Sequence, residues 1–403
     1  MLHETLLADA RALSDTIISL RRAIHAEPEL GLDTPATLSK AREALADLPL
    51  EWREATSCTG AIATLKGTKT TRSGAPLRVL LRGDMDALPM EEATGLPFAS
   101  RLPGRMHACG HDTHTAMLAG AARLLCAKRA DFAGEVQFMF QPGEEGFHGA
   151  RHMIADGLLD PAPDAAFALH IMPNSRHGVL ASRPGALMAA ADQLEITVKG
   201  NGGHASMPHH AVDPVPVAAE IITALQALVT RRFNAADAVV VTITQLEAGS
   251  AHNVIADDAM LKGTMRTLSS ENRTALHQAV ARLAENIAAA HGLHAEVKII
   301  EGFPVTLNDP RAVTLGAAVA QAAAGGAFER LASPIMGAED FSYVLEQVPG
   351  AMFFLGVAEE GADWQHCCGI HSSRMMVDET ALPVGTAFLA GCALRFLAEG
   401  WPA

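Results

Sequence analysis

The sequence is poor in charged residues and has no concentration of basic ones. Charged residues make up 19% of the 403 residues, the formal net charge is −14, and lysine and arginine never occur more than twice in succession. Nucleic acids and anionic membranes are bound by surfaces on which positive charge is concentrated. We therefore expect neither kind of partner and predict a small-molecule substrate.

Long apolar runs and closely spaced cysteines are also missing. No run of about 18 residues is apolar without a break, as a membrane-spanning helix would require. The amino-terminal segment carries acidic residues early and lacks the uninterrupted apolar core of a signal peptide. The six cysteines are scattered and do not have the spacing of a secreted disulfide scaffold. We therefore predict reduced cysteines and a cytoplasmic protein.

The pattern of predicted helices and strands indicates two domains. A chain of 403 residues exceeds the size of one ordinary hydrophobic core. Residues 188–301 are predicted in the order strand, helix, strand, strand, helix, strand, which is the split ferredoxin-like arrangement. We predict that this βαββαβ module is inserted into an α/β domain formed by residues 1–187 and 302–403. Helices flank the central, mostly parallel sheet of that α/β domain.

The segment at residues 106–115, MHACGHDTHT, combines a thiol, three imidazoles and a carboxylate. Cys109 and His111 are two residues apart, and on a helix their side chains would point about 200° apart around the axis. They can share a metal ion only from a turn or an extended segment, which Gly110 between them permits. Taken alone, the pair is more typical of a buried cysteine beside surface histidines.

Further acid–base and metal-ligand side chains follow predicted strands. Asp84 and Asp86 follow a predicted strand at residues 77–81. Glu144 and Glu145 follow one at residues 136–140, and His170 follows one at residues 165–169. In open α/β sheets, ligands bind at the carboxyl ends of the strands. An isolated pair of glutamates is more typical of a solvated loop. The joint occurrence of these residues predicts one site that includes Cys109 and His111.

The sequence resembles the M20 metallopeptidase superfamily in a series of short motifs. In chain order they are GDMDALP (83–89), MHACGHD (106–112), QPGEEG (141–146), His170, GNGGHASMPH (200–209) and IHSS (370–373). The branch that it resembles contains hippurate hydrolases, N-acyl-amino-acid aminoacylases and indole-acetyl-amino-acid hydrolases. The resemblance implies that residues 188–301 form a lid and dimerisation domain on a catalytic domain, and that the chain forms a homodimer or homotetramer.

The resemblance also implies a centre for two divalent metal ions, which would be zinc, manganese, cobalt or nickel. Its ligands would be Cys109, His111, Glu145, His170 and His371, a donor set that suits these metals. Glu144 would be the general base that activates the attacking water. Asp86 would orient the imidazole of His111, while Asp84 would hold the adjacent loop. Three more residues are expected near the site or on the surface, without binding metal directly: His107, Asp112 and His114.

The inserted domain carries three further residues for which the resemblance implies a role. His204 would stabilise the oxyanion in the active site of a partner subunit. Asn253 and Arg266 would bind the carboxylate of the substrate. From the residues alone, the alternative for His204 is a turn histidine without a role, and Arg266 could equally form a surface or interface salt bridge.

Together these expectations predict metal-dependent hydrolysis of the amide bond of an N-acyl-L-amino acid. A dipeptidase of the same superfamily is the near alternative. A metal-binding or thiol-redox protein that uses Cys109 without catalysis is a third reading, from a different class.

Overall fold

The structure, a computed structural model, describes residues 5–70, 76–325, 327–359, 361, 363, 366 and 368–402. The chain divides into two compact units. Unit 1 comprises Met1–Leu187, Leu307–Ser333 and Asp340–Ala403, and unit 2 comprises Met188–Thr306 and Pro334–Glu339. Each unit has a hydrophobic core of its own.

The described residues form sixteen strands and ten α-helices. The strands are β1 (Glu51–Glu54), β2 (Ala61–Lys66), β3 (Arg78–Asp84), β4 (Glu135–Gln141), β5 (Ala165–Met172), β6 (Leu180–Ser182), β7 (Gly185–Met188), β8 (Ala190–Lys199), β9 (Gly203–His204), β10 (Val239–Ala248), β11 (Val254–Ile255), β12 (Asp258–Thr267), β13 (His294–Glu301), β14 (Thr306–Asn308), β15 (Phe328–Arg330) and β16 (Gly350–Gly356). The helices are α1 (Leu6–Ala12), α2 (Ser14–His25), α3 (Pro35–Ala44), α4 (His111–Ala127), α5 (Gly149–Ala155), α6 (Pro214–Arg232), α7 (Ser270–Ala290), α8 (Pro310–Ala323), α9 (Ser342–Leu345) and α10 (Leu382–Glu399).

Unit 1 contains an eight-stranded sheet with the strand order β1-β2-β4-β3-β5-β16-β6-β15. The central strands β4, β3, β5 and β16 run parallel to one another. The pairs β1-β2, β2-β4 and β6-β16 are antiparallel, so the sheet is mixed toward its edges. The short connection between β1 and β2 explains the antiparallel pairing, because a parallel pair needs a crossover of a dozen or more residues. The predicted α/β class is confirmed.

The helices of unit 1 bury the central strands. Strand β5 is buried over nearly its whole length, as expected for a parallel strand that is covered on both faces. Helix α10 packs against α1, α4 and α8. By length and composition the segment Glu379–Glu399 could cross a membrane, but 83% of its most apolar window is buried inside the protein. A helix that is apolar on all sides and buried in this way is a core helix.

Unit 2 has the βαββαβ order. Its antiparallel sheet has the strand order β10-β12-β8-β13, and α6 and α7 pack against this sheet. The side chains of Asp213 and Ser269 accept backbone N–H groups at the first turns of α6 and α7, which fixes where these helices begin. Unit 2 includes residues up to Thr306, and the backbone N–H of Ala191 on β8 donates to the carbonyl of Phe303.

Candidate metal centre

The loop that joins β4 to α5, residues 142–148, carries Glu144 and Glu145; we name it the glutamate loop. Asp86, two residues beyond the end of β3, holds this loop through its main chain. Its Oδ1 accepts the N–H of Glu144 at 2.9 Å, and its Oδ2 accepts the N–H of Glu145 at 3.0 Å. Because β3 and β4 are parallel neighbours, with Asp84 opposite Gln141, both chain segments leave the sheet at the same edge.

The turn between Cys109 and His111 has the geometry that their spacing requires. Gly110 has a φ of 91°, in the left-handed region, and precedes α4 directly. A Cβ atom at Gly110 would also lie 2.4 Å from the side chain of Ile171, so a larger residue is excluded by sterics as well as by conformation. Cys109 therefore lies before the helix and His111 in its first turn, and the two side chains reach the same site.

The structure brings all five predicted ligands together. Cys109 Sγ lies 3.3 Å from His170 Nε2, and Glu145 Oε1 lies 3.2 Å from His371 Nε2. Potential ligand atoms of the following two sets lie within 4.8 Å of one another: Cys109, His111 and His170; and Cys109, Glu145 and His371. The thiol belongs to both sets. The residues of these two sets would hold divalent cations, since thiolate, imidazole and carboxylate groups are suitable ligands for them.

The surroundings of His111 fit a divalent cation. Both of its ring nitrogens are buried, and neither has a hydrogen-bond partner in good geometry among the described residues. Carboxylate oxygens surround the ring: Asp86 Oδ1 lies 3.4 Å from Nδ1, and Asp84, Glu144 and Glu145 oxygens lie 3.6, 3.9 and 4.0 Å from Nε2. A buried imidazole that faces several carboxylates in this way fits a site for a positive ion.

His371 is held in a strained conformation. Its φ is 62°, a left-handed value that is uncommon for a residue other than glycine. Its backbone N–H donates to the carbonyl of Ala108 at 2.6 Å, next to Cys109. The side chain is about half exposed, whereas His111 and His170 are buried. His371 therefore lies on the open side of the cluster.

Burial and charge shift the pKa values within the cluster. Burial raises the pKa of the Cys109 thiol, and the neighbouring His111 only partly offsets this. Burial, together with the charge of His114, holds the pKa of His170 well below its usual range. Hydrogen bonds with Cys109 and Glu145 raise the pKa of His371 to about 10.

Asp84 and His114 lie behind the cluster and not on the protein surface. His114 Nδ1 lies 2.6 Å from Asp84 Oδ1, and His114 Nε2 accepts the backbone N–H of Ile171 at 2.8 Å. The residue after His170 is thus tied to β3 through one imidazole. Asp84 also contacts Arg82, whereas the backbone N–H groups of Glu144 and Glu145 are held by Asp86.

His107 and Asp112 are also buried. Asp112 Oδ2 accepts the N–H of Arg21 Nε at 2.8 Å and lies 2.8 Å from His25 Nδ1, so the beginning of α4 is joined to α2. Burial lowers the pKa of His107 to about 3, which keeps this imidazole neutral. Both residues lie inside unit 1, where they support the segment that carries Cys109 and His111.

The three predicted residues of the inserted domain lie in unit 2. His204 is exposed on β9, and its Nδ1 accepts the Ser206 hydroxyl at 2.8 Å. Asn253 is exposed next to it, and its carbonyl accepts the backbone N–H of Ala205 at 3.0 Å. Arg266 lies on β12 and is partly buried; burial lowers the pKa of its guanidinium. The β9-β11 ladder therefore brings His204 and Asn253 together, while Arg266 lies on a separate strand.

The sequence-based prediction missed the side chains that support the site from behind. Arg82 is only 1% exposed, and it contacts Asp84, Gln141 and Asp340. One signal was available, because an arginine that directly follows the apolar run of a buried strand needs partners. The identity of those partners could not be read from the strand itself.

Comparisons with known proteins agree with this geometry. The family described as Peptidase family M20/M25/M40 matches residues 80–395. The chain is 39% identical over 390 residues to N-acetylcysteine deacetylase of Bacillus subtilis, which covers 96% of this chain and 98% of the relative. It is 37% identical over 401 residues to thermostable carboxypeptidase 2 of Saccharolobus solfataricus, and the match covers 98% of this chain and 99% of the relative. A solved Bacillus subtilis structure is described as a dinuclear metal binding peptidase from the M20 family. It matches with a TM-score of 0.83 and 35% identity, over 96% of this chain and 99% of that chain.

The chain belongs to peptidase family M20/M25/M40. It is a metal-dependent amidohydrolase, and the donor set of the cluster suits divalent cations. The resemblance seen in the sequence motifs is thereby confirmed. A metal-binding or thiol-redox protein without catalysis is not supported.

Proposed function

We propose that the protein hydrolyses the amide bond of N-acyl-L-amino acids and releases a carboxylate and a free amino acid. The observation that carries the proposal is the convergence of two potential ligand sets on Cys109, with Glu144 adjacent to them. Similarity over nearly the whole chain to an N-acetylcysteine deacetylase supports an N-acyl amino acid as the substrate class.

In this proposal the ligands are Cys109, His111, Glu145, His170 and His371. When bound, divalent ions supply Lewis acidity for the amide carbonyl and for water. Zinc, manganese, cobalt and nickel all suit the mixed sulfur, nitrogen and oxygen donors. The buried ring nitrogens of His111, which face the carboxylates of Asp84 and Asp86, support its place in this set.

The two glutamates of the loop have different tasks. Glu144 takes a proton from the attacking water and returns it to the departing amine. Glu145 is the ligand, in keeping with its position 3.2 Å from His371. Asp86 supports both, because its two oxygens hold the two successive backbone N–H groups and lie beside the His111 ring.

Three residues of unit 2 take part in stabilising the oxyanion and in binding the substrate. His204 acts on the oxyanion in the active site of a partner subunit, and Asn253 and Arg266 bind the substrate carboxylate. The exposed position of His204 and of Asn253 beside it supports a role outside the unit's own core. A homodimer or homotetramer formed through unit 2 is supported by the edge position of β10, which exposes Val240 and Leu246.

The same proposal includes the domain division and the location in the cell. Residues 1–187 and 302–403 form the catalytic domain, and residues 188–301 form the lid and dimerisation domain. The five described cysteines are all free thiols, which supports a reducing compartment and hence the cytoplasm. Cys367 lies outside the described residues.

A dipeptidase is the second candidate, because the chain is also similar to a thermostable carboxypeptidase. The test is a panel of N-acetyl amino acids, N-benzoyl amino acids and dipeptides with free amines. Each is assayed with metal-stripped protein reconstituted with zinc, manganese, cobalt or nickel. We expect a higher kcat/KM for N-acyl amino acids with at least one metal. A consistent preference for dipeptides would replace the proposal with the second candidate.

A further inference from the structure

We propose that Asp340 is a positioning residue that holds the glutamate loop in place at its base. This inference rests on the proposed function, because Asp340 acts through Glu144 and Glu145. Asp340 belongs to the segment MGAEDF at residues 336–341, which the hydrolytic mechanism leaves without a task.

Asp340 joins the two ends of the glutamate loop. Its side chain is buried, with 0% exposed. Its Oδ1 accepts Gln141 Nε2 at 2.6 Å, at the last residue of β4. Its Oδ2 accepts the backbone N–H of Ala150 at 2.9 Å, in the first turn of α5. Asp86 holds the backbone of the two glutamates and Asp340 ties the two ends, so two carboxylates fix the loop between them.

Arg82 fixes the direction of these hydrogen bonds. Its Nε donates to Gln141 Oε1 at 2.9 Å, and a terminal nitrogen donates to Asp340 Oδ1 at 3.1 Å. Because Arg82 already uses the amide oxygen of Gln141, the amide nitrogen must face Asp340. Rotating the Gln141 amide would set its nitrogen against Arg82, where two donors would meet. An acceptor is therefore required at position 340.

The hydrogen bonds of Asp340 distinguish a positioning role from metal binding. Carboxylate oxygens of Asp340 and Glu144 lie within 4.8 Å of each other, so Asp340 is close enough to be considered as a ligand. Its oxygens, however, already accept three hydrogen bonds from Gln141, Arg82 and Ala150. A carboxylate engaged in this way orients its neighbours.

Two isosteric substitutions and their combination test the inference. Asp340→Asn leaves one acceptor oxygen at position 340 for the three donors from Gln141, Arg82 and Ala150. Gln141→Glu sets two carboxylates against each other. In the double variant the amide nitrogen at position 340 can donate to the carboxylate at position 141, whose other oxygen still accepts Arg82 Nε. The terminal nitrogen of Arg82 loses its acceptor at position 340, so the network is restored only in part. Asp309→Asn is the matched control, because Asp309 caps α8 and accepts its hydrogen bonds from Arg311.

The measurements are the Mn²⁺ affinity of metal-stripped protein and the separate values of kcat and KM, each for folded protein. We expect both single variants to bind Mn²⁺ about ten- to a hundredfold more weakly. Their kcat should fall more than their KM changes, because the loop carries the reacting groups. The double variant should regain part of both losses, and the Asp309 variant should match the wild type.

Folded single variants with wild-type Mn²⁺ affinity and kcat would overturn the inference. A double variant whose Mn²⁺ affinity and kcat are no higher than those of the more impaired single variant would overturn it as well. If Asp340→Asn does not fold, the comparison of Gln141→Glu with the double variant decides in the same way. Wild-type protein that binds Mn²⁺ but hydrolyses no N-acyl amino acid would contradict the proposed function instead. The Mn²⁺ affinities of the variants would still test Asp340.

Discussion

The Oδ1 atom of Asp86 accepts the backbone N–H of Glu144 at 2.9 Å. The second oxygen of the same carboxylate accepts the next N–H along the chain, that of Glu145. The main chain of two adjacent glutamates is thereby fixed by one buried side chain. Their side chains are left to interact with different groups, which is the physical basis for giving one glutamate to proton transfer and the other to metal binding.

Replacement of each glutamate by glutamine should separate these two tasks. Glu144→Gln should retain bound metal and lower kcat about 10²- to 10⁴-fold, because a proton acceptor is removed and the ligand set remains. Glu145→Gln should lower metal content first. Metal analysis of the purified variants, together with kcat for an N-acetyl amino acid, checks both. Turnover near the wild-type value in Glu144→Gln would contradict its role as the base.

Cys109→Ala should deplete metal at both positions, because the thiol belongs to both potential ligand sets. Metal content per chain, measured after dialysis against trace Mn²⁺ or Zn²⁺, reports the loss directly. Cys126→Ala is the matched control. Cys126 is also a free thiol, but it lies near the carboxyl end of α4, whereas Cys109 precedes the amino end of this helix. An unchanged metal content in Cys109→Ala would show that the sulfur is not a ligand.

Two inactive variants should complement each other if His204 acts across a dimer. In a mixture of His204→Ala and Glu144→Gln chains, one of the two sites in each heterodimer combines an intact Glu144 with an intact His204. Random exchange of equal amounts should restore roughly a quarter of the wild-type activity per chain. The mixture is assayed before and after subunit exchange. Activity that stays at the level of the separate variants would indicate a site completed within one chain.

The buried pair of His25 and Asp112 should make stability depend on pH. Burial alone would lower the pKa of His25, but the charge of Asp112 and hydrogen bonds to Asp112 and Glu92 outweigh it and raise the pKa to about 9. A histidine whose pKa is raised by folding stabilises the protein fully below its ordinary value of about 6.5, and this contribution is lost as the pH rises to about 9.

The His25→Gln variant should therefore melt at a lower temperature than the wild type at pH 6. The difference should narrow as the pH rises from about 6.5 to 9. The melting temperatures of both proteins are measured by thermal unfolding in the presence of a chelator, so that neither protein holds metal. A difference in melting temperature that is constant over this range would show that His25 carries no charge in the folded protein.

The sequence alone located most of the elements that position the site. The apolar runs at residues 136–140 and 165–169 predicted β4 and β5, and the βαββαβ pattern predicted the order of elements in unit 2. Strands β1 and β2 were not predicted. Strand β1 is mostly exposed and only four residues long, and β2 has only six residues, so the local pattern gave little signal. His170 was predicted to follow the end of a strand. Strand β5 instead continues to Met172, because all residues of β16 pair with Ala166 to Met172 of β5.

What the sequence determined is the set of chemical groups at the candidate site: a thiol, imidazoles and carboxylates at fixed places, with a glycine that lets Cys109 and His111 converge. Only the tertiary structure decided which carboxylate holds the glutamate loop. Asp84 and Asp86 are two residues apart and chemically identical, and the register of β3 against β4 selects Asp86. The same holds for Arg82 and Asp340, whose contact joins residues 258 positions apart. Such pairings depend on how the chain packs, which local sequence does not specify.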